Sequence, residues 1–322
     1  MNKKVVVFSQ LDDAIIQRLH ADYEVVLINP KHGDVNAQIR QHAQDADGMI
    51  GAGRLLNADN LATAQQLKII SSVSVGYDNY DLAYLNQQKI WLSHTPHVLT
   101  ESTADLAFTL LMTAARKAAY LDQWTKQGNW TRTVAKAQFG QDIFGKTLGI
   151  IGLGHIGTAV ARRGFHGFNM NILYHNRHEK LELAQPLNAT YCSLNALLQQ
   201  SDFVVLAVDL NSQSKALIGA DQLQQMQSHA VLVNISRGSV VDDSALIEAL
   251  KQNKIFAAGL DVYAKEPLST SELFTLDNVV TLPHVGSATA ETRQKMAELA
   301  YRNLVDALEG RTPTYLVNPS FC

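Results

Sequence analysis

Short apolar runs rich in Val and Ile alternate along the chain with longer stretches in which apolar residues return every three or four positions. The first pattern suits strands buried on both faces, and the second suits helices with one covered face. In the first hundred residues the runs are Lys4–Phe8, Glu24–Ile28, Gly48–Gly51, Lys68–Ser72 and Ile90–Ser93. Helical stretches lie near Asp12–His20, Asn36–Gln44, Asn57–Gln65 and Leu82–Gln87. Thr100 to about Gln127 reads as one long connecting helix, capped by Thr100 or Ser102, with Leu106, Leu110 and Leu111 at helical spacing. From Lys146 a second series begins, with strands Thr147–Ile151, Asn171–Tyr174, Phe203–Ala207, Val231–Asn234, Ala257–Val262 and Val279–Leu282. Helices are expected at Ile156–Arg163 and near Leu194–Gln199. A final helix, Ala288 to Glu309, has no strand of its own to cover and is expected to return to the first unit. Regular alternation of strand and helix predicts an α/β fold of parallel sheets covered by crossover helices.

The chain has 322 residues, 46% of them hydrophobic, which is more than one core usually holds, so two domains are expected. Its 27 Lys and Arg nearly balance 30 Asp and Glu, for a net charge of −3. Such a balance argues against nucleic acid or an anionic membrane as a partner. The apolar stretch Leu106–Ala115 is interrupted by Thr109 and Thr113 and falls short of the ~20 residues that span a bilayer, so it is expected to be a buried helix. Val5–Phe8 is too short for a signal-peptide core and reads as a strand. Cys192 and Cys322 are the only cysteines, with no CxxC and no Cys/His cluster. Neither a disulfide framework nor a metal site is expected, and a reducing, cytoplasmic compartment fits.

Gly152-Leu153-Gly154-His155-Ile156-Gly157 stands directly after an apolar strand and directly before a helix. In that setting the first glycine permits a tight turn, the second lets the backbone approach a pyrophosphate, and the third lets helix and strand pack closely. The helix start adds unpaired N–H groups and a positive dipole end, so Gly152, Gly154, His155, Ile156 and Gly157 are assigned to a dinucleotide. The next strand ends in His175-Asn176-Arg177-His178, where NAD-preferring proteins commonly place an acid for the ribose hydroxyl. Asn176 and Arg177, with His178 beside them, suit a 2′-phosphate instead. NADP(H) is therefore the expected cofactor and NAD(H) the alternative, with Asp209 setting a negative charge near the adenosine end.

Three further segments fall just beyond expected strand ends, where open α/β sheets bind their ligands. They carry Arg237, Glu266 and His284. A 2-keto acid needs a cation for its carboxylate, a proton donor for its carbonyl oxygen, and a carboxylate that favours the charged donor. Taken singly, each residue has a plainer use: Arg237 in a loop salt bridge, Glu266 as an acid before Pro267, His284 packed at a strand end. Arg54, in Gly51-Ala52-Gly53-Arg54, reads as a surface charge with a distal anion contact as the alternative.

Taken together, these segments resemble the D-isomer-specific 2-hydroxyacid dehydrogenase family over nearly the whole chain. The likeness is greatest to its glyoxylate/hydroxypyruvate reductase and 2-ketogluconate reductase branch. It is carried by Ser74-Val75-Gly76-Tyr77-Asp78-Asn79, by Thr95 to Asp105, by the glycine loop, and by the Arg237, Glu266 and His284 segments in that order. The resemblance implies two doubly wound parallel-sheet domains, a Rossmann cofactor domain (100–285) inserted into a flavodoxin-like substrate domain (1–99 and 286–322). It further implies that Arg237 orients a small 2-keto acid, that Glu266 pairs with His284, and that His284 is the acid in reduction. Val75 and Gly76 would offer backbone N–H groups to the substrate carboxylate, while Thr103, Asp261 and Gly286 would lie at the nicotinamide end of the cofactor. A homodimer is implied, with Trp124 and Trp130 in the contact; core packing within one subunit is the alternative for both. Two departures stand out: Val208-Asp209-Leu210 where the branch usually has Pro, and Ile235-Ser236 before the Arg where smaller residues are usual. The alternatives are an NAD-dependent D-hydroxyacid or phosphoglycerate dehydrogenase and a catalytically silent, nucleotide-sensing corepressor on the same fold.

Overall fold

The computed structural model describes residues 3–319; Cys322 lies outside them. The chain divides into two compact units, Met1–Leu99 with Ala288–Cys322, and Thr100–Ser287. The first contains β1 (Lys4–Val7), α1 (Asp13–Asp22), β2 (Glu24–Leu27), α2 (Val35–Ala43), β3 (Gly48–Gly51), α3 (Ala58–Leu61), β4 (Ile69–Ser72), α4 (Leu82–Gln87) and β5 (Trp91–Ser93). Its strands are all parallel in the order β2-β1-β3-β4-β5, the flavodoxin-like doubly wound arrangement. Asp12, Asp34, Asn57 and Asp81 each accept a backbone N–H at the start of α1 to α4, caps worth about 1 kcal/mol apiece.

The second unit opens with α5 (Thr100–Ala115) and α6 (Ala118–Lys126). The expected single helix is broken between them. Lys117 takes the left-handed conformation (φ +53°), and the last α5 carbonyl, Ala115, accepts from Gln141 N–H at 2.9 Å. Gly140 makes that approach possible, since a Cβ on it would stand 2.5 Å from the same oxygen. Then follow β6 (Thr147–Ile151), α7 (His155–Phe168), β7 (Asn171–His175), α8 (Leu181–Ala184), β8 (Thr190–Tyr191), α9 (Leu194–Gln200), β9 (Phe203–Leu206), α10 (Ala220–Gln225), β10 (Val231–Asn234), α11 (Asp243–Lys251), β11 (Ala257–Leu260) and β12 (Val279–Thr281). The parallel sheet, β12-β11-β10-β9-β6-β7-β8, is a Rossmann order with one strand more than the six expected. β8 is the addition, only two residues long and exposed on both. Period-two alternation sorts the strands' side chains: Leu148, Ile150, Phe203, Val205, Val231 and Val233 enter one core, while Ile151, Val204, Leu206 and Leu232 enter the other. α5 lies on the first of these faces, and Gly259 on β11 leaves room for it, a Cβ there standing 2.9 Å from that of Leu110.

α12 (Ala290–Leu308) belongs to the first unit and packs on β3, β4 and β5. Leu304 fills the space over Gly48, Ser71 Oγ donates to the Ala300 carbonyl at 2.7 Å, and Asn303 Nδ2 donates to the His94 carbonyl at 3.2 Å. The helix thus supplies the covering layer that the sequence pattern of Ala288–Glu309 left without a strand. Among the described residues, no helix is long and apolar enough to cross a membrane.

Candidate functional site

In the second unit the chemistry-bearing residues stand just past the carboxyl ends of β10, β11 and β12. Asn234, 1% exposed, closes β10. Its Oδ1 accepts from Ser236 N–H at 3.0 Å and Ser236 Oγ at 2.8 Å, and its Nδ2 donates to the Arg237 carbonyl at 3.0 Å. A buried amide therefore fixes the turn that presents the half-buried Arg237. Asn234 was not among the expected site residues, and its signal was a polar residue ending an otherwise apolar strand. A Cβ on Gly238 would fall 1.8 Å from the Tyr263 carbonyl carbon, so the Arg237 turn rests directly on the backbone of Tyr263 and Ala264.

Glu266 ends that second loop. Its Oε1 accepts from Tyr263 N–H at 2.9 Å and its Oε2 from His284 Nδ1 at 2.7 Å. An ionised carboxylate only accepts, so Nδ1 carries the proton and Nε2 is the ring atom left for a ligand. Burial alone would raise the Glu266 carboxyl. The hydrogen bonds from His284 and Tyr263 N–H, with the charges of His284 and Arg237, outweigh it and hold the group below the usual glutamate range.

His284 adopts φ +56°, a left-handed conformation that costs a non-glycine residue about 1–3 kcal/mol. The adjoining backbone shows what holds it there. Asp261, buried at the end of β11, accepts from Val285 N–H at 2.7 Å and Gly286 N–H at 2.9 Å. The Gly286 carbonyl in turn accepts from Ser102 Oγ at 2.8 Å and Thr103 Oγ1 at 3.2 Å, both on α5. Burial raises the Asp261 carboxyl, and the two N–H donors offset only part of that rise. Thr103, Asp261 and Gly286, assigned from resemblance to the nicotinamide end, thus also brace one another behind the imidazole. Ser102 joins them, a partner that only the fold reveals.

Farther along the same carboxyl edge of the sheet, β6 turns through Gly152 (φ +102°) into α7. A Cβ on Gly152 would stand 2.4 Å from the Ala207 carbonyl oxygen, and one on Gly157 2.1 Å from that of Gly152. Those two glycines are closed in by protein. A Cβ on Gly154 would meet nothing within 4 Å, so the middle glycine faces open space at the start of α7, beside His155 and Ile156. An open backbone cradle at a helix N-terminus suits a pyrophosphate. Asn176 has a role that the sequence did not suggest: its Oδ1 accepts from Leu153 N–H at 2.6 Å and anchors the glycine turn. Arg177 and His178 are exposed; Arg177 donates to Gln213 at 3.3 Å and makes no ion pair with a described residue. Asp209 is exposed, and its carbonyl accepts from Ser214 Oγ at 2.6 Å.

In the first unit, Val75 and Gly76 lie half-buried in the loop after β4, and Arg54 lies half-buried after β3. Trp124 is half-buried on α6, while Trp130 is 65% exposed, so core packing does not account for Trp130. Val134, Phe139 and Phe144 in the same segment are exposed as well.

The family model described as D-isomer specific 2-hydroxyacid dehydrogenase, NAD binding domain, matches residues 108–286. The chain is similar to glyoxylate/hydroxypyruvate reductase B of Escherichia coli, 43% identical over 323 residues, covering 99% of each chain. It is 42% identical over 320 residues to the protein of that name from Salmonella typhimurium, again covering 99% of each. Among solved structures, it is similar to an NADPH-dependent glyoxylate/hydroxypyruvate reductase from Sinorhizobium meliloti in complex with NADP and malonate. That likeness has a TM-score of 0.87 at 31% identity, covering 98% of this chain and 97% of the other.

Proposed function

The chain belongs to the D-isomer-specific 2-hydroxyacid dehydrogenase family and is an NAD(P)-dependent oxidoreductase, and on that premise we propose that it reduces glyoxylate and hydroxypyruvate with a preference for NADPH. The observation that carries the proposal is the 2.7 Å bond between His284 Nδ1 and Glu266, with Arg237 held on the adjoining turn. The Gly154 cradle, with Asn176 and Arg177 for the 2′-phosphate, would hold NADPH, which would supply the hydride. Arg237 binds the substrate carboxylate and draws charge from the carbonyl. His284 gives its Nε2 proton to the carbonyl oxygen as the carbon is reduced, while Glu266 keeps the Nδ1 proton and the ring orientation. In the reverse direction the same nitrogen takes the proton back.

The relatives' names support the two substrates, and Asn176-Arg177 in place of an acid supports NADPH. 2-Ketogluconate, which presents the same carboxylate and ketone, is a further candidate substrate. In this proposal the second unit binds the dinucleotide through Gly152, Gly154, His155, Ile156, Gly157 and His178, and the first unit offers Val75 and Gly76 to the carboxylate. The exposed Trp130, Val134, Phe139 and Phe144 support a homodimer; a monomer mass in sedimentation at micromolar concentration would overturn it.

The testing experiment follows 340 nm absorbance with each cofactor and a panel of keto acids. Wild type is expected to favour NADPH, His284→Ala to lose about 100-fold or more in kcat, and Arg177→Ser to weaken NADPH by about tenfold while sparing NADH. Tight NADPH binding without turnover of any keto acid would favour a nucleotide-sensing role.

A further inference from the structure

We propose that His94 is a positioning residue that sets the peptide groups of Val75, Gly76 and Tyr77 for the keto acid's carboxylate, an inference that rests on the reductase reading. Three consecutive carbonyls in this loop are pinned by different partners. The Ser74 carbonyl accepts from Thr95 N–H at 2.9 Å, the Val75 carbonyl from His94 Nδ1 at 2.9 Å, and the Gly76 carbonyl from Ser74 Oγ at 2.7 Å. In a trans peptide the N–H points opposite its own C=O. Holding the carbonyls of residues 74, 75 and 76 therefore fixes where the N–H groups of Val75, Gly76 and Tyr77 point. Those three N–H groups donate to none of the described residues.

His94 is the one long-range side chain among the three clamps, and it is itself held rigidly. Its N–H donates to the Tyr315 carbonyl at 3.1 Å, and its carbonyl accepts from the buried Asn303 of α12. The Tyr77 ring packs edge-on against its imidazole, centroids 5.9 Å apart. Because the Val75 oxygen only accepts, Nδ1 must carry a proton in either charge state of the ring. The remaining clamp is braced from below: Ser74 Oγ also bonds Ser72 Oγ at 2.7 Å, which takes the hydroxyl of the buried Tyr80 at 2.9 Å. Removing the imidazole frees the Val75–Gly76 peptide plane to rotate, and the Gly76 N–H loses its set direction.

A carboxylate binds equally in ground and transition states, so the loss should appear in KM rather than kcat. The test compares wild type, His94→Leu and His94→Asn in the full chain with NADPH present. Asn places an amide donor near the position of Nδ1. His94→Leu is expected to raise KM for glyoxylate and for hydroxypyruvate about tenfold, with kcat and NADPH affinity within about twofold of wild type. His94→Asn is expected to restore KM. Calorimetric titration of the NADP-bound protein with oxalate should show the same loss and rescue without turnover. An unchanged KM and oxalate affinity in His94→Leu, or a folded His94→Asn that fails to rescue, would overturn the proposal. A wild type that neither turns over keto acids nor binds oxalate would overturn it together with the reductase reading, whereas an active wild type indifferent to His94 removes only this inference.

Discussion

Glu266 must stay charged with its side chain 34% exposed, and the direction of its shift shows which influence wins. Desolvation alone would push it above 4.5, its ordinary value, yet the accepted hydrogen bonds from His284 and Tyr263 and two nearby cations bring it below. A carboxyl with a folded pKa under its unfolded value adds stability above the unfolded pKa and loses it as pH falls through the folded one. The contribution is therefore intact down to about pH 4.5 and fades only at lower pH. A carbon-13 titration of the Glu266 carboxyl should give a midpoint below 4.5 in wild type and a higher one in His284→Ala; an unmoved midpoint would contradict the pairing. That Arg237, Glu266 and His284 stand on loops after strands was legible from the apolar runs before them, while grouping them as one set rested on the family resemblance. The roles of Asn234 in fixing the Arg237 turn and of Asp261 in bracing were not legible, because their partners, backbone groups and the Ser236 hydroxyl, are placed by the turns themselves.

At the scale of elements, the site depends on two loops meeting backbone to backbone. Gly238 has no side chain to hold the turn after β10 away from Tyr263, and a methyl there would need the loops to separate. Gly238→Ala should displace Arg237 from the Glu266 and His284 pair and lower kcat/KM about 100-fold, with NADPH affinity changed less than about threefold. Near-wild-type kinetics would show that the loops meet differently. Most strands and many helices could be read from periodicity, with most ends within two residues, although α3 stops four residues before the expected end and α7 runs five beyond it. The break between α5 and α6 could not, because Gln141, distant in sequence, captures the Ala115 carbonyl. β8 is too short to show a period. α11 was missed despite a readable signal, Asp242 accepting at the cap ahead of an Ala, Leu and Glu run.

At the scale of the molecule, each unit has buried clusters of its own: Val6 to Leu92 in the first, and Ala104 to Ala257 and Ile151 to Leu273 in the second. Each core is large enough to unfold cooperatively by itself, so the chain should melt in two transitions rather than one. The first unit draws its covering helix from the far end of the chain. Leu304→Ala, at a fully buried position over Gly48, should cost that unit about 2–5 kcal/mol. NADPH binds the other unit in this account, and at 100 times its dissociation constant should stabilise that transition by about 2.7 kcal/mol. Denaturant unfolding followed by far-UV circular dichroism, with tryptophan fluorescence of Trp91 for the first unit and of Trp124 and Trp130 for the second, separates the two. If Leu304→Ala moves only the Trp91 transition and NADPH only the other, the cores are thermodynamically independent. A single transition moved by both would mean that the discontinuous first unit and the inserted second unit fold as one, and that the helix returned by the carboxyl end stabilises the dinucleotide site as well.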